Sequence, residues 1–186
     1  MLRLVRITNY PNYQLPINNM PYSIAQLNQI SHSEFVAALG TVFEHTPFVA
    51  QQAWHHRPFA DVMQLYQTMV DTVKAMSQEQ QLTLIRAHPD LGSKLKMAPS
   101  SVQEQTGVGL DRLSSEECDH FGFLNQAYKD KFGFPFIIAV KNHTKSSILE
   151  AFERRLENTV DVEIAQALTE IAQIAKFRLL DLVDQV

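Results

Sequence analysis

Apolar residues recur at intervals of three and four along most of the chain, the spacing that places side chains on one face of an α-helix. An early run consists of Phe35, Leu39, Val42 and Phe43. A run after Pro58 consists of Val62, Leu65, Tyr66, Met69, Val73 and Met76. The longest, from about Val160 to Val183, includes Ile164, Leu168, Ile171, Ala175, Arg178 and Leu182. The pattern predicts a succession of helices.

Capping residues mark where several of these helices begin and end. In a capping box, a serine and a glutamate or glutamine three residues later each accept a hydrogen bond from the other's backbone N–H. This spacing occurs at Ser31 with Glu34, Ser77 with Gln80 and Ser114 with Glu117. Pro47 and Thr144 indicate two further starts. Pro89 and Gly133 indicate helix ends, because proline disfavours helix before it and glycine accepts left-handed geometry.

The segment from Phe134 to Val140 interrupts the helical pattern. It is a short apolar run without caps, and no other segment offers it a partner strand, so we expect an extended connector crossing the core. Residues 1–19 are rich in proline and asparagine, which predicts an irregular N-terminal arm. The chain is therefore expected to be an all-α, single-domain helical bundle over residues 20–186, with a short extended connector near residues 134–140.

The composition limits the class of partner. A chain of 186 residues with 45% hydrophobic content is long enough for one substantial core. Its net charge of -4 argues against nucleic acid or an anionic membrane surface as partner. Cys118 is the only cysteine, so no disulfide can form within the chain, which favours a reducing cytoplasm. No segment approaches membrane-spanning length, and we expect no membrane partner.

His88 is the best candidate for proton transfer. It directly precedes Pro89, so its backbone is held in extended geometry at the predicted end of a helix, with the imidazole projecting away. The alternative is a hydrogen-bonded structural histidine. The other histidines, His32, His45, His55, His56, His120 and His143, lack the spacing of a zinc site, and we expect no metal.

Glu104 has two interpretations. The pattern Ser101-x-x-Glu104 matches a capping box, in which the glutamate would only satisfy a backbone donor. A helix N-terminus also collects anionic or carbonyl groups of ligands. Ser101, Glu104 and Gln105 could therefore cap the helix and bind a ligand at once.

Arg178 lies on the apolar stripe of the last predicted helix. An unpaired cation there would be costly, so it needs a buried acid or an anionic ligand. We expect an anion or water on it in the empty protein, and methionine in its place would then raise thermal stability. The alternative is a side chain whose charged head reaches solvent at the nearby helix end.

Several short motifs, in this order, closely resemble the family of 2-oxo-4-hydroxy-4-carboxy-5-ureidoimidazoline (OHCU) decarboxylases. They are the segments Ala87–Gly92, Ser101–Gln105, Leu124–Tyr128 and Phe132–Ala139, together with Arg178. The resemblance covers about Tyr22 to Val183. It implies a cofactor-independent carboxy-lyase that converts a small anionic substrate, OHCU, to S-allantoin in urate breakdown. It also implies a homodimer.

The resemblance assigns roles to individual residues. It implies that His88 acts as general base at the substrate hydroxyl and carboxylate, that Glu104 hydrogen-bonds ureido or ring nitrogens, and that Arg178 binds a carbonyl or the carboxylate. The implied substrate-binding residues are Pro89, Ser101, Val102, Gln103, Gln105, Phe136, Ile137, Ile138, Ala139 and Val140. Two rival functions stay open: a non-catalytic helical ligand-binding module, and a hydrolase in which His88 and Glu104 activate water.

Overall fold

The computed structural model describes residues 21–92 and 99–184. Within these ranges the chain forms α1 (Ile24–Gln29), α2 (His32–Leu39), α3 (Phe48–Trp54), α4 (Val62–Ala75), α5 (Gln78–Arg86), α6 (Pro99–Gly107), α7 (Ser115–Phe132), α8 (Lys145–Leu156) and α9 (Val160–Leu182). The same ranges contain no β-strand, which confirms the all-α prediction. None of the described helices is long and apolar enough to cross a membrane. The predicted arm, residues 1–19, lies outside the described residues.

Local sequence signals set most of the helix boundaries. The three predicted capping boxes are present at Ser31, Ser77 and Ser114. In each, the serine side chain accepts a hydrogen bond from the backbone N–H three residues later, and the glutamate or glutamine at that position accepts one from the serine N–H. Thr144 caps α8 in the same way. Gly133 ends α7 with a φ of 76°, a left-handed geometry that favours glycine.

Two predicted helices have different limits in the structure. The helix expected after Pro58 begins at Val62, because the Asp61 carboxylate accepts from the Gln64 N–H at 2.8 Å and caps it there. Helix α2 ends at Leu39, so Val42 and Phe43 enter the core from the following turn. The apolar spacing therefore predicted burial correctly at these two positions, but not a continuous helix.

Helix α9 organises the packing of the other helices. It contacts α4, α5 and α7, while α3 packs against α2 and α4, and α8 packs against α7. The two ends of the described region meet beside α9. The Tyr22 N–H donates to the Leu182 carbonyl at 2.9 Å, and the Asp184 N–H donates to the Tyr22 carbonyl at 2.8 Å. These bonds hold the residues preceding α1 against the end of α9.

The predicted connector is non-helical and buried. Residues 134–139 form no regular structure, and a short 3-10 turn, Val140–Asn142, follows them. Phe136 stacks on Phe152 of α8 with 3.7 Å between ring centroids. The Ile137 carbonyl accepts a hydrogen bond from Arg155 Nη1 at 2.7 Å. The expectation of a connector through the core that is not helical is thus confirmed for residues 134–139, whereas Val140 already belongs to the turn.

A buried ion pair between α8 and α9 anchors this connector. Arg155 is 3% exposed and Glu163 is fully buried, with 2.9 Å between Nη2 and Oε2. Asn158 also donates to the Glu163 carboxylate, as does the Tyr128 hydroxyl. Burial, together with Glu163, raises the pKa of Tyr128, so its hydroxyl keeps its proton and donates it. Each charge in this network is therefore paired.

Removing Glu163 should destabilise the fold strongly. Glu163→Ala leaves Arg155 buried without its counterion, and we expect the free energy of unfolding to fall by about 3 to 5 kcal/mol. Denaturant unfolding monitored by circular dichroism measures the loss. The matched control is Asp181→Ala, which breaks an exposed pair with Lys141 and should cost at most about 1 kcal/mol. Equal losses in the two variants would contradict the prediction.

Candidate functional site

A cleft opens where four segments of the chain meet, with about 340 Å³ of empty space counted together with the open solvent at its mouth. Its walls come from the loop after α5, from α6, from the connector and from α9. The predicted site residues that line it are His88, Pro89, Ser101, Glu104, Gln105, Phe136, Ile137, Ile138, Val140 and Arg178. The cleft is therefore apolar on the connector side and polar on the side of α6 and α9.

His88 presents a defined tautomer to the cleft. Its Nδ1 lies 3.0 Å from the Leu84 carbonyl near the end of α5. Because a carbonyl only accepts, Nδ1 carries the proton in the neutral ring and Nε2 is left as the basic nitrogen. Burial lowers the pKa of His88 from its ordinary 6.5 to about 4, against the opposing effects of the Leu84 bond and the Glu44 charge. Near neutral pH the imidazole is thus uncharged and able to accept a proton.

The loop that carries His88 is held from two neighbouring helices. Asn125 of α7 donates from Nδ2 to the Leu91 carbonyl at 2.8 Å. The Gly92 N–H donates to Gln105 Oε1 of α6 at 2.9 Å, at a φ of 67°. An added Cβ at Gly92 would meet only the flexible end of Leu113, at 2.8 Å, so it is the left-handed backbone conformation that favours glycine here. The loop motif is therefore fixed at its far end as well as at His88.

Arg178 is only 6% exposed and lies between two carboxylates. Its Nε and Nη2 donate to the two oxygens of Glu104 at 2.7 and 2.9 Å. Its Nη1 donates to Glu44 Oε2 at 2.8 Å, and Nη2 also donates to Ser101 Oγ at 3.1 Å. Burial alone would lower the pKa of Arg178, but Glu104 and Glu44 raise it, so the guanidinium stays charged.

These contacts decide between the alternatives for Glu104 and Arg178. Glu104 does not act as the capping glutamate of a box begun by Ser101, because Ser101 lies within α6 and Glu104 binds Arg178. Arg178 does not extend to solvent. Its partners among the described residues are Glu44, Glu104 and Ser101, so the chain itself supplies the buried acid that Arg178 requires. The reason in each case is a contact between α6 and α9 that local spacing does not encode.

Glu44 is the site residue that sequence reasoning missed. It lies in the turn between α2 and α3, outside any recognised motif. Its only signal in the sequence was the need of Arg178 for a buried acid, which any of the chain's carboxylates could have met. The structure identifies Glu44 as one of the acids that pair with Arg178, since it is 2% exposed and hydrogen-bonded to Arg178 and Ser101.

Three predicted binding residues lie away from the cleft wall. Val102 is 43% exposed, and Gln103 is also on the solvent side of α6. Ala139 is buried in the connector, where its N–H donates to Glu170 of α9. Their roles toward substrate stay predictions. Among the described residues, no group of three or more His, Cys, Asp or Glu side chains is placed to hold a metal ion.

Comparisons with known proteins place this architecture among related chains. The OHCU decarboxylase family model matches residues 28–180. The chain is 43% identical over 160 residues to a 2-oxo-4-hydroxy-4-carboxy-5-ureidoimidazoline decarboxylase of Halalkalicoccus jeotgali, a match covering 86% of this chain and 91% of that protein. It is 45% identical over 156 residues to a uric acid degradation bifunctional protein of a Bacillus species, covering 84% of this chain and 31% of that protein.

A solved structure shares the fold. The crystal structure of (S)-allantoin synthase matches with a TM-score of 0.72 and 31% sequence identity. The match covers 87% of this chain and 54% of that chain. The present chain thus corresponds to nearly all of the single-activity relative, but to only part of the bifunctional protein and of the crystallised synthase.

The depressed pKa of His88 should make stability depend on pH. Above pH 6.5 the imidazole is neutral in both states, whereas between pH 6.5 and about 4 only the unfolded chain takes up the proton, so stability falls as pH falls. At pH 5 this contributes a loss of about 2 kcal/mol. We therefore expect the drop in unfolding free energy from pH 7.5 to 5 to be smaller in His88→Asn by that amount.

The control for this measurement is His120→Asn. His120 is exposed, so its replacement should retain the parent's pH dependence. Denaturant unfolding at both pH values, on parent and both variants, provides the comparison. Identical drops in parent and His88→Asn would show that His88 is not held neutral by the fold.

Proposed function

The chain belongs to the OHCU decarboxylase family, and we propose that its cleft binds OHCU and converts it to (S)-allantoin with release of carbon dioxide. Family membership makes it a decarboxylase of urate degradation. The observation that carries the assignment to the cleft is the meeting of a neutral, buried His88 with Glu104 and Arg178 in one pocket. A base, a cation and a hydrogen-bond acceptor are what this substrate requires.

The substrate supplies its own electron sink. One ring carbon bears both a hydroxyl and the carboxylate and adjoins a C=N bond. When the bond to the carboxylate breaks, its electron pair forms a C=C bond and the C=N electrons move to nitrogen, which is protonated. The hydroxyl then becomes a ketone as its proton leaves, and the neighbouring carbon gains a proton to give allantoin. The residues of the chain need only orient the substrate and move protons.

His88 is suited to remove the hydroxyl proton. Its free Nε2 is an acceptor, because Nδ1–H is committed to the Leu84 carbonyl. A pKa near 4 keeps the imidazole neutral in the empty cleft. Arrival of the substrate carboxylate beside the ring adds a negative charge, which raises the pKa of His88 and strengthens it as a base. Binding therefore brings the base closer to the pKa range in which general-base catalysis is efficient.

Arg178 and Glu104 are suited to bind the polar groups of the substrate. The four hydrogen bonds of Arg178 within the described residues leave one Nη1–H for a substrate carbonyl or carboxylate. Glu104 lines the cleft and can accept from the ureido or ring N–H groups. Ser101 and Gln105 lie on the same wall and would complete the orientation. Arg178 thus offers a donor to the carbonyl or carboxylate of the substrate, and Glu104 offers an acceptor to its N–H groups.

The connector would form the opposite wall. The side of the substrate away from Arg178 would contact Phe136, Ile137, Ile138 and Val140. Apolar walls exclude water, which strengthens hydrogen bonds and charge interactions inside the cleft. We further propose that the protein acts without a cofactor, as a homodimer in the cytoplasm, in line with its resemblance to the family and its single cysteine.

The direct test is to generate OHCU in situ and follow optically active allantoin by circular dichroism, with and without the protein. Formation of (S)-allantoin and carbon dioxide at an accelerated rate supports the proposal. The two rivals give different products: a ligand-binding module gives no turnover, and a hydrolase adds water without releasing carbon dioxide. Either result would reject decarboxylation.

Loss of the His88 imidazole should remove most of the activity. General acid–base groups contribute about a hundredfold to ten-thousandfold, and we expect His88→Asn to lose rate in that range. The fold should be intact by far-ultraviolet circular dichroism at pH 7.5. His120→Asn, an exposed histidine, is the matched control and should keep the parent rate. A near-normal rate in His88→Asn would remove it from the reaction.

Turnover should depend more on the paired N–H donors of the planar Arg178 guanidinium than on its charge. Arg178→Lys keeps a cation but loses the side-by-side donors that Glu104 accepts from, so we expect turnover nearly as low as in Arg178→Met. The thermal stabilities should separate the two. Methionine leaves Glu44 and Glu104 without their cation and should lower the melting temperature, which reverses the expectation from sequence. Lysine keeps a cation and should lower the melting temperature less. A fully active methionine variant would place Arg178 outside the site.

A further inference from the structure

Glu44 is a buried carboxylate that the proposed chemistry does not use. It is not among the residues that line the cleft, and its side chain is 1% exposed, against 12% for Glu104. Its Oε2 accepts from Arg178 Nη1 at 2.8 Å and from Ser101 Oγ at 3.0 Å. Its Oε1 is buried and has no hydrogen-bond partner among the described residues. Two carboxylates thus share one guanidinium, with Glu44 on the buried side and Glu104 at the cleft.

We propose that Glu44 is a positioning residue of this site. It acts as the permanent counterion of Arg178 and so allows Glu104, the second carboxylate on the same guanidinium, to bind the substrate. The inference rests on the proposed function, since it concerns how the same cleft accommodates its substrate. It assigns different tasks to two glutamates that make similar contacts in the empty protein.

The hydrogen-bond pattern supports this division. Arg178 Nη2 donates to Ser101 Oγ, Ser101 Oγ donates to Glu44 Oε2, and Arg178 Nη1 donates to the same oxygen. These three bonds close a ring that does not include Glu104. The ring holds the guanidinium plane from the buried side. Glu104 can therefore exchange part of its contact with Arg178 for substrate N–H groups while the cation stays paired and oriented.

The turn that carries Glu44 is shaped to place it there. His45 adopts a φ of 47°, which is uncommon for a residue other than glycine. The Thr46 hydroxyl donates to the Glu44 carbonyl at 2.8 Å and braces the turn. A purely structural ion pair would not need a second carboxylate. The buried Oε1 accepts no hydrogen bond from the described residues and has only His45 Nε2 at 3.8 Å, which is a cost to stability. The arrangement places a second negative charge next to Arg178 despite that cost.

The charge on Glu44 also acts on His88. Three charged or titratable groups act on the imidazole, namely Glu44, Arg178 and His45, and Glu104 lines the same cleft. Glu44 raises the pKa of His88, whereas Arg178 and His45 lower it. Removing the charge of Glu44 should therefore make His88 a weaker base and draw Glu104 more firmly to Arg178. Both effects lower turnover. The contacts that Glu104 no longer makes with the substrate are offset in binding by the loss of one negative charge near an anionic substrate, so affinity should change little.

The first experiment compares Glu44→Gln with the parent in the circular dichroism assay. Glutamine keeps the shape and an oxygen that accepts from Arg178 and Ser101, but removes the charge. We expect kcat to fall about tenfold to a hundredfold, because misplaced catalytic groups lose rate on this scale. KM should not rise by more than about twofold. The control, Glu79→Gln on the exposed face of α5, should match the parent.

Glu44→Asp distinguishes charge from packing. Aspartate restores the charge near Arg178 but is one methylene shorter, so a positioning role predicts that it retains more of kcat than glutamine does. A packing role predicts the reverse order, since glutamine matches glutamate in shape. Melting temperatures of both variants verify that they are folded. A glutamine variant that exceeds aspartate in kcat, or equals the parent, would overturn the inference.

A double-mutant cycle with Glu104→Gln tests the coupling between the two carboxylates. If Glu44 acts mainly by freeing Glu104, then Glu44→Gln should lower the kcat of Glu104→Gln by a much smaller factor than it lowers that of the parent, with the effect on His88 as the remainder. Equal fold-losses in both backgrounds would reject the division of tasks. Failure of the parent itself to form (S)-allantoin would instead reject the proposed function, so the two failures are distinguishable.

Discussion

The cost of burying the Arg178 guanidinium is the constraint on which the site depends. A charge removed from water is tolerated only when it is paired and hydrogen-bonded, and Arg178 meets both conditions through Glu44, Glu104 and Ser101. These partners come from the turn after α2 and from α6, so pairing one cation fixes three parts of the chain relative to each other. Formally, two carboxylates and one guanidinium leave an excess negative charge, which a neutral His88 does not offset.

A second buried ion pair holds the opposite wall of the cleft. Arg155 and Glu163 are satisfied on all sides by Tyr128, Asn158 and the Ile137 carbonyl. This pair is closed to solvent, and its role is to fix the connector. The Arg178 cluster borders a cleft and keeps a carboxylate at its edge. The two networks use the same chemistry, but only the one at the cleft is placed to exchange partners with a ligand.

His88 owes its chemical state to its surroundings more than to its own position in the chain. The Leu84 carbonyl selects the tautomer, and burial keeps the ring neutral. The loop is held at its far end by Asn125 and Gln105, so the ring cannot easily move toward solvent. A neutral imidazole beside a cation and a carboxylate fits a reaction in which the substrate provides the electron sink and the protein handles protons.

The sequence by itself determined most of the helices, their caps at Ser31, Ser77, Ser114 and Thr144, the buried connector, and the candidacy of His88, Glu104 and Arg178. It did not predict α1, and it placed the limits of two helices differently. The features that it determined depend on interactions within about four residues or on periodicity, which a chain displays directly. Only the tertiary structure decided what Arg178 and Glu104 bind, because their contact joins residues 74 positions apart and the one with Glu44 joins residues 134 apart. At such separations, local spacing cannot choose between one carboxylate and another. The choice is made by which elements the core brings together, and that depends on packing over the whole chain.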